Sequence, residues 1–201
     1  VKIIENKTNL GREKTRIKLA EEAKNDWLLF LDSDVIPKHK KFIGNFLDAI
    51  LKNHGLDVVF GGIVYGKKPT DRQLLLRWKY GKKNEEKDLS KRKKNTYNSI
   101  VTGAICIRKS IFLKHSTIQD HIYGLDILLA SKLKVSNAKV LHINNPVYHL
   151  GLESNIIFLS KTQEALKSII LLENKNQLPS NFRPIQRIYS KLKNLKLIGI
   201  C

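Results

Sequence analysis

One stretch constrains the fold more than any other: residues 27–37, WLLFLDSDVIP. Five apolar residues, Trp27 to Leu31, run directly into a segment with two carboxylates, Asp32 and Asp34. An apolar run of that length suits a strand buried on both faces, as in a parallel sheet covered by helices. Ligands bind such sheets at the carboxyl ends of their strands, which is where Asp32-Ser33-Asp34 falls. Alternate residues of an extended chain point the same way. The two carboxylates are therefore expected to converge on a divalent cation, with a substrate phosphate among its other oxygen ligands. The plainer reading is a strand end and a helix N-cap, because Asp and Ser are common in loops and Asp caps helices well. Two carboxylates exceed what a cap needs.

The rest of the chain alternates helical and strand-like patterns around that stretch. Residues 1–6 read as a short strand, and NKTNLG (6–11) as a turn-rich loop. Ile17, Leu19, Ala20 and Ala23 give residues 12–24 a helical stripe. Phe42, Phe46, Leu47, Ile50 and Leu51 do the same for residues 38–52, with Gly55 just past the end. LDVVF (56–60) and IVTGAICIR (100–108) read as strands, and 140–143 as a shorter one. Gly61-Gly62 within an extended run implies either a bend or a close approach of backbone to a ligand. Helical patterns return at 127–133 and 156–172. Such alternation predicts an α/β fold with a mostly parallel mixed sheet and helices on both faces.

Two segments stand apart. GKKNEEKDLSKRKKN (81–95) is charged and nearly devoid of apolar residues, so it reads as a mobile loop or an exposed helix. It is either a solvated stretch or a basic patch for an anionic acceptor. The region 177–201 is a basic tail ending in KLKNLKLIGIC, which either lies on a membrane surface or packs on the domain formed by 1–176.

Charge narrows the partners. A formal net charge of +19 over 201 residues implies attraction to something anionic: nucleic acid, lipid headgroups or phosphorylated substrates. The basic residues are spread along the chain and match no nucleic-acid motif. Peripheral contact with the cytoplasmic face of a membrane fits the charge equally well. No apolar run reaches membrane-spanning length. Cys106 and Cys201 make neither a metal motif nor a disulfide framework, which suits a reducing cytosol. The chain starts at Val1, has no methionine and shows no secretory signal, so a truncated start is expected.

Taken in order, NLGREKTR, LLFLDSDVIP, FGGIVYG, GAICIRKSIF, IYGLDILL and NNPVYHLGLESNIIFLSKTQEAL resemble the family 2 glycosyltransferases. The order and spacing carry the resemblance, since a lone D-x-D is weak. It implies the GT-A (nucleotide-diphospho-sugar transferase) fold. It also implies transfer of a sugar from a nucleotide-diphosphate sugar to a hydroxyl of a saccharide or lipid-linked acceptor, in cell-surface polysaccharide or glycolipid synthesis. Asp34 is then the main ligand of Mg²⁺ or Mn²⁺, and Asp32 contacts the ribose or the metal. The cation offsets charge on the departing diphosphate. Asp126 takes the proton of the attacking hydroxyl, and a base opposite the leaving group gives inversion. His149 lies near metal and diphosphate as a ligand or hydrogen-bond donor. Arg12 and Arg16 face the donor, as do Gly61 and Gly62.

The chain departs from the family pattern in three places. Nothing in the sequence matches the P-x-Y-N-type nucleotide segment with which the family begins, so the chain reads as starting after that first βαβ portion. Arg16 is followed by Ile17 where the family often has Arg-Asn. Asp126 is followed by Ile127 where it often has Glu-Asp. FLDSDVI also fits a haloacid-dehalogenase-like phosphatase, with Asp32 as nucleophile, but the late acidic pair of that family is missing.

Overall fold

The computed structural model describes residues 2–117 and 123–195. In chain order the elements are α1 (Gly11–Glu22), β1 (Trp27–Leu31), β2 (Val35–Pro37), α2 (Phe42–Lys52), β3 (Val58–Phe60), β4 (Ile63–Tyr65), α3 (Leu75–Tyr80), α4 (Leu89–Lys94), β5 (Ala104–Arg108), α5 (Lys109–His115), α6 (Leu125–Val135), β6 (Val140–His142), β7 (Val147–His149), α7 (Asn155–Asn174) and α8 (Pro184–Asn194). Residues 2–6 belong to no strand, contrary to their apolar pattern.

Two small sheets form the frame, ordered β1-β5-β3-β6 and β2-β7-β4. They are mixed, and the expectation of a mostly parallel sheet is corrected. β1 and β3 both pair antiparallel with β5, and β2 pairs antiparallel with β7. Only β3 with β6 and β4 with β7 run parallel among the described residues. The helix–strand alternation misleads because the long excursion through α3 and α4 brings the chain back reversed into β5, between β1 and β3. Hydrophobic periodicity reports burial, not the direction of a neighbouring strand.

Helices cover both faces of the larger sheet. Leu28, Phe30, Val58, Ile105 and Ile107 pack against Ala20, Phe112, Leu129 and Leu133 of α1, α5 and α6. Val59, Ala104 and Cys106 point the other way, toward Phe42, Phe46 and Ala49 of α2. Neighbours in β5 thus serve opposite cores, as a period of two requires. Each fully buried large side chain, such as Phe60 or Ile105, stabilises the fold by ~1.5–3 kcal/mol. β1 itself lies at the sheet's edge, with Leu31 exposed, so its apolar run is half-buried rather than covered on both sides.

The two sheets join at a corner that uses Gly61-Gly62. There the chain leaves β3 for β4, and residues 143–146 make the parallel step from β6 to β7. The backbone amides of Asn145 and Val147 donate to the Gly61 and Gly62 carbonyls at 3.1 Å. A Cβ on Gly61 would lie 2.1 Å from the Asn145 carbonyl oxygen. Gly62 has a φ of +103° and abuts the Arg92 guanidinium. Buried Asn145 ties the corner to α2 through the Phe42 carbonyl at 2.8 Å.

The charged segment 81–95 is more structured than its composition suggests. It forms a wide helical turn, Gly81–Glu85, and then α4. Arg92 is buried and donates to the carbonyls of Lys87, Phe60 and Ile143. The start of the basic tail also packs inward, with Leu178 and Phe182 buried beside Leu128, Ala130, Ile169 and Leu172. The last part of the sequence motif KLKNLKLIGIC, residues 196–201, lies outside the described residues, Cys201 included. No helix among the described residues is long and apolar enough to cross a membrane.

Candidate active site

A cleft of about 1400 Å³ opens where the two sheets, α1, α6 and α7 meet. Its walls carry Arg12, Arg16, Asp32, Asp34, Asp126 and His149. Gly61 and Gly62 are not among the residues lining it; they lie at the corner between the sheets, in the backbone contacts described above.

Asp32 follows β1 directly, and its amide extends the strand ladder to the Gly103 carbonyl at 2.8 Å. The chain then turns, with the Val35 amide reaching the Asp32 carbonyl at 3.3 Å. Asp32-Ser33-Asp34 is therefore a tight turn rather than extended chain, and its carboxylates take different partners. Arg12 Nη2 meets Asp32 Oδ2 at 2.8 Å, and Arg16 Nη2 meets Oδ1 at 2.6 Å. The two arginines stand four residues apart on α1, one helical turn, so both reach the same carboxylate. Thr102 holds them from behind, its carbonyl accepting from Arg16 at 2.7 Å and its hydroxyl from Arg12 at 3.0 Å. Burial lowers the pKa of Arg16, as does neighbouring Arg12, while Asp32 opposes both. A guanidinium keeps its charge through such shifts.

Asp34 sits on the second sheet's side. The β2-β7-β4 register sets His149 between Val35 and Tyr65. This brings His149 Nε2 to 3.7 Å from Asp34 Oδ2 and stacks its ring on Tyr65, centroids 5.3 Å apart. Burial lowers the His149 pKa, and Asp34 partly offsets this. Its Nδ1 is buried with no hydrogen-bond partner. A bare lone pair is the cheaper group to leave there, so the proton belongs on Nε2, facing Asp34 and the cleft. Gly151 lies under Asp34, and a Cβ on Gly151 would fall 2.0 Å from Asp34 Oδ2.

Asp126 is in the first turn of α6, after Gly124 in the left-handed region at φ +81°. Arg12 Nη1 is 3.9 Å from Asp126 Oδ2, so Arg12 bridges the Asp32 and Asp126 carboxylates.

Sequence patterns gave no sign of several wall residues. Arg77 of α3 lies between the rings of Tyr65 and Phe158 at 5.3 and 5.5 Å. It also pairs with Glu85 at 3.2 Å, and Glu85 accepts the Tyr65 hydroxyl. Burial and Glu85 raise the Tyr65 pKa, so that hydroxyl remains a donor. Glu85 belongs to a segment whose composition reads as solvated, and no spacing rule ties it to Tyr65. Gly151 had a weak signal, two residues past His149 in a loop.

Among the described residues no group of three or more His, Cys, Asp or Glu side chains is placed to hold a metal ion. The Asp34 carboxylate, partly exposed, lies beside His149. Both oxygens of Asp32 are occupied by guanidinium groups.

No curated protein matches the sequence significantly. Among solved structures, glucosyl-3-phosphoglycerate synthase from Mycobacterium tuberculosis is similar. Its complex with Mn²⁺, uridine diphosphate and glucosyl-3-phosphoglycerate matches at a TM-score of 0.49 and 14% identity, over 85% of this chain and 57% of that one. Its complex with Mn²⁺, UDP-glucose and phosphoglyceric acid matches at 0.48 and 13%, over 85% and 56%. The chain thus spans little more than half the length of that enzyme. Residues 1–114, over half of the sequence, match the family described as Glycosyl transferase family 2, a span that holds Arg12, Arg16, Asp32 and Asp34 but neither Asp126 nor His149. The chain belongs to glycosyl transferase family 2.

Proposed function

We propose that the cleft binds a nucleotide-diphosphate sugar and moves its sugar, with inversion, to a hydroxyl of a saccharide or lipid-linked acceptor. The observation that carries this reading is the convergence of a clamped carboxylate, Asp32, a second carboxylate facing a histidine, Asp34, and a third, Asp126, on one cleft of a family 2 chain. Residues 1–176 form the transferase domain in this reading and 177–201 a basic appendage, with the whole adopting the GT-A arrangement. In this reading the work lies at the cytoplasmic face of a membrane, in polysaccharide or glycolipid synthesis, and the net charge of +19 would draw the chain to that anionic surface. Family membership favours this over a phosphatase using Asp32 as nucleophile, and the engagement of both Asp32 oxygens by arginine argues the same way.

Each residue then has a distinct task. Asp32, immobilised by Arg12 and Arg16, is a fixed acceptor for donor hydroxyls. Asp34 fits Mg²⁺ or Mn²⁺, being partly exposed to the cleft on a carboxylate that no arginine neutralises; donor phosphate and water would supply the other ligands. Such a cation, when bound, stabilises negative charge on the leaving diphosphate. His149 contributes an Nε2–H hydrogen bond to the same oxygens and fits that role better than a ligand's, because ligation would put a proton on the unpartnered Nδ1. Asp126 accepts the acceptor's proton as its oxygen bonds to the anomeric carbon and the carbon–oxygen bond to the diphosphate breaks. The Arg12 guanidinium, 3.9 Å from the Asp126 carboxylate, attracts it without a direct hydrogen bond.

The reading is tested by incubating the chain with a panel of nucleotide-diphosphate sugars, Mn²⁺ and mixed saccharide or polyprenyl acceptors. Release of a free nucleoside diphosphate with one donor is expected. Its absence from every donor, under conditions where the donors bind, would overturn the transferase reading.

A further inference from the structure

Helix α8 reverses the usual amphipathic arrangement. A helix of a globular protein turns its apolar stripe to the core and its polar side to water. In α8 the inward residue is Gln186, 5% exposed. Its amide donates to the Glu173 carboxylate and, at 3.0 Å, to the Pro179 carbonyl, and its oxygen accepts from the Arg183 amide at 2.5 Å. The apolar residues face out: Ile185, Ile188, Tyr189, Leu192 and the following Leu195 are 52, 54, 53, 40 and 66% exposed. At the helical spacing they share about a third of the circumference. Arg187 and Lys191 border that arc on one side and Lys193 on the other. Between Lys175 and Leu195 there is no acidic residue.

We propose that α8 seats the protein on a membrane surface bearing anionic lipid headgroups. The helix lies in the plane of the interface, its apolar arc at the acyl boundary and Arg187, Lys191 and Lys193 among the headgroups. A strong apolar face, a cationic polar face and low overall hydrophobicity mark helices of this kind. A second copy of the chain is a poorer occupant, because pairing two such faces brings like-charged borders together. Gln186 and its bonds hold the helix in this outward pose, so the face is preformed. Arg183, which leads into α8, also lines the cleft. On the transfer reading above, a membrane-seated α8 keeps the cleft, which its N-cap Arg183 reaches, close to the bilayer where a lipid-linked acceptor would be held.

The test is flotation of the 201-residue chain with phosphatidylcholine vesicles, with and without phosphatidylglycerol, at low ionic strength and without donor. Because no donor is present, the result is independent of the transferase reading. Binding is expected only to vesicles containing phosphatidylglycerol. The double variant Ile188→Asn/Leu192→Asn, with an unchanged circular dichroism spectrum, should bind about tenfold more weakly or worse, as expected from removing two buried aliphatic side chains. Lys191→Gln/Lys193→Gln should weaken binding by roughly fivefold for each charge and flatten its salt dependence. Failure of the wild type to float would overturn the proposal, as would equal binding by the asparagine variant. A wild-type dimer that the asparagine variant converts to monomer, with no vesicle binding, would assign the face to a second copy instead.

Discussion

Replacing Gly151 by alanine should disable the site while sparing the fold. Gly151 adopts ordinary backbone geometry, so the substitution brings no conformational strain of its own. Its new methyl group, however, would lie 2.0 Å from Asp34 Oδ2 and 2.9 Å from Cγ. Ordinary contact begins at 3.4 Å, so the carboxylate must withdraw by about 1.4 Å, the difference of the two distances. Misplacing a reacting or ligating group by ~1 Å costs on the order of 100-fold in rate, equivalent to about 2.7 kcal/mol of transition-state stabilisation. The Asp34 side chain is partly exposed and can swing toward solvent, so global stability should change by no more than ~0.5 kcal/mol. The assay is kcat/KM for nucleoside diphosphate release, read beside a urea unfolding curve. A Gly151→Ala enzyme within twofold of wild type would refute both the contact and the role given to Asp34.

Three further outcomes follow from the same geometry. Asp126→Asn should lower kcat by 100-fold or more with little change in donor affinity, the range for loss of a general base; wild-type turnover would place the base elsewhere. Arg16→Gln should destabilise the fold by about 1–3 kcal/mol in urea unfolding, since it removes charge-assisted bonds to Asp32 and Thr102 from a buried side chain; a loss under ~0.5 kcal/mol would count against the clamp. Burial pushes the His142 pKa down to about 4, with Arg92 adding to the shift and the Thr96 carbonyl opposing it. The folded state therefore holds His142 neutral while the unfolded chain protonates near pH ~6.5. Its share of stability is complete above that pH and declines as pH falls toward about 4, by roughly 3 kcal/mol in all. Urea midpoints measured from pH 7 downward should show the decline, and His142→Gln should reduce its slope.

Local chemistry was legible in the sequence where a short-range rule applied. The apolar run into Asp32-Ser33-Asp34 marks a strand end. Arg12 and Arg16 stand one turn apart on a patterned helix. Asp126 follows a glycine that starts a helix. Each of these lines the cleft. Features set by distant pairing were not legible. The reversal of β5 depends on which strands accept it, and nothing in IVTGAICIR encodes that. Asp32 and Asp34 were expected to share one target because the segment reads as extended; the turn closed by the Val35 amide separates their partners instead. Glu85 and Arg92 belong to a segment whose charge density suggests solvent. They are ordered because the partners that neutralise or hydrogen-bond them, Arg77 and the Phe60 and Ile143 carbonyls, come from other parts of the chain.

Donor binding tests the central claim most directly. UDP and GDP should be titrated calorimetrically into the chain and into Asp34→Asn, first with Mn²⁺ and then with EDTA. Metal-dependent binding of one nucleotide by the wild type, abolished by EDTA and by Asp34→Asn, is the predicted result and would identify the donor's base. Binding of equal strength in EDTA, or in the Asp34→Asn variant, would contradict the assignment of the diphosphate and its cation to Asp34.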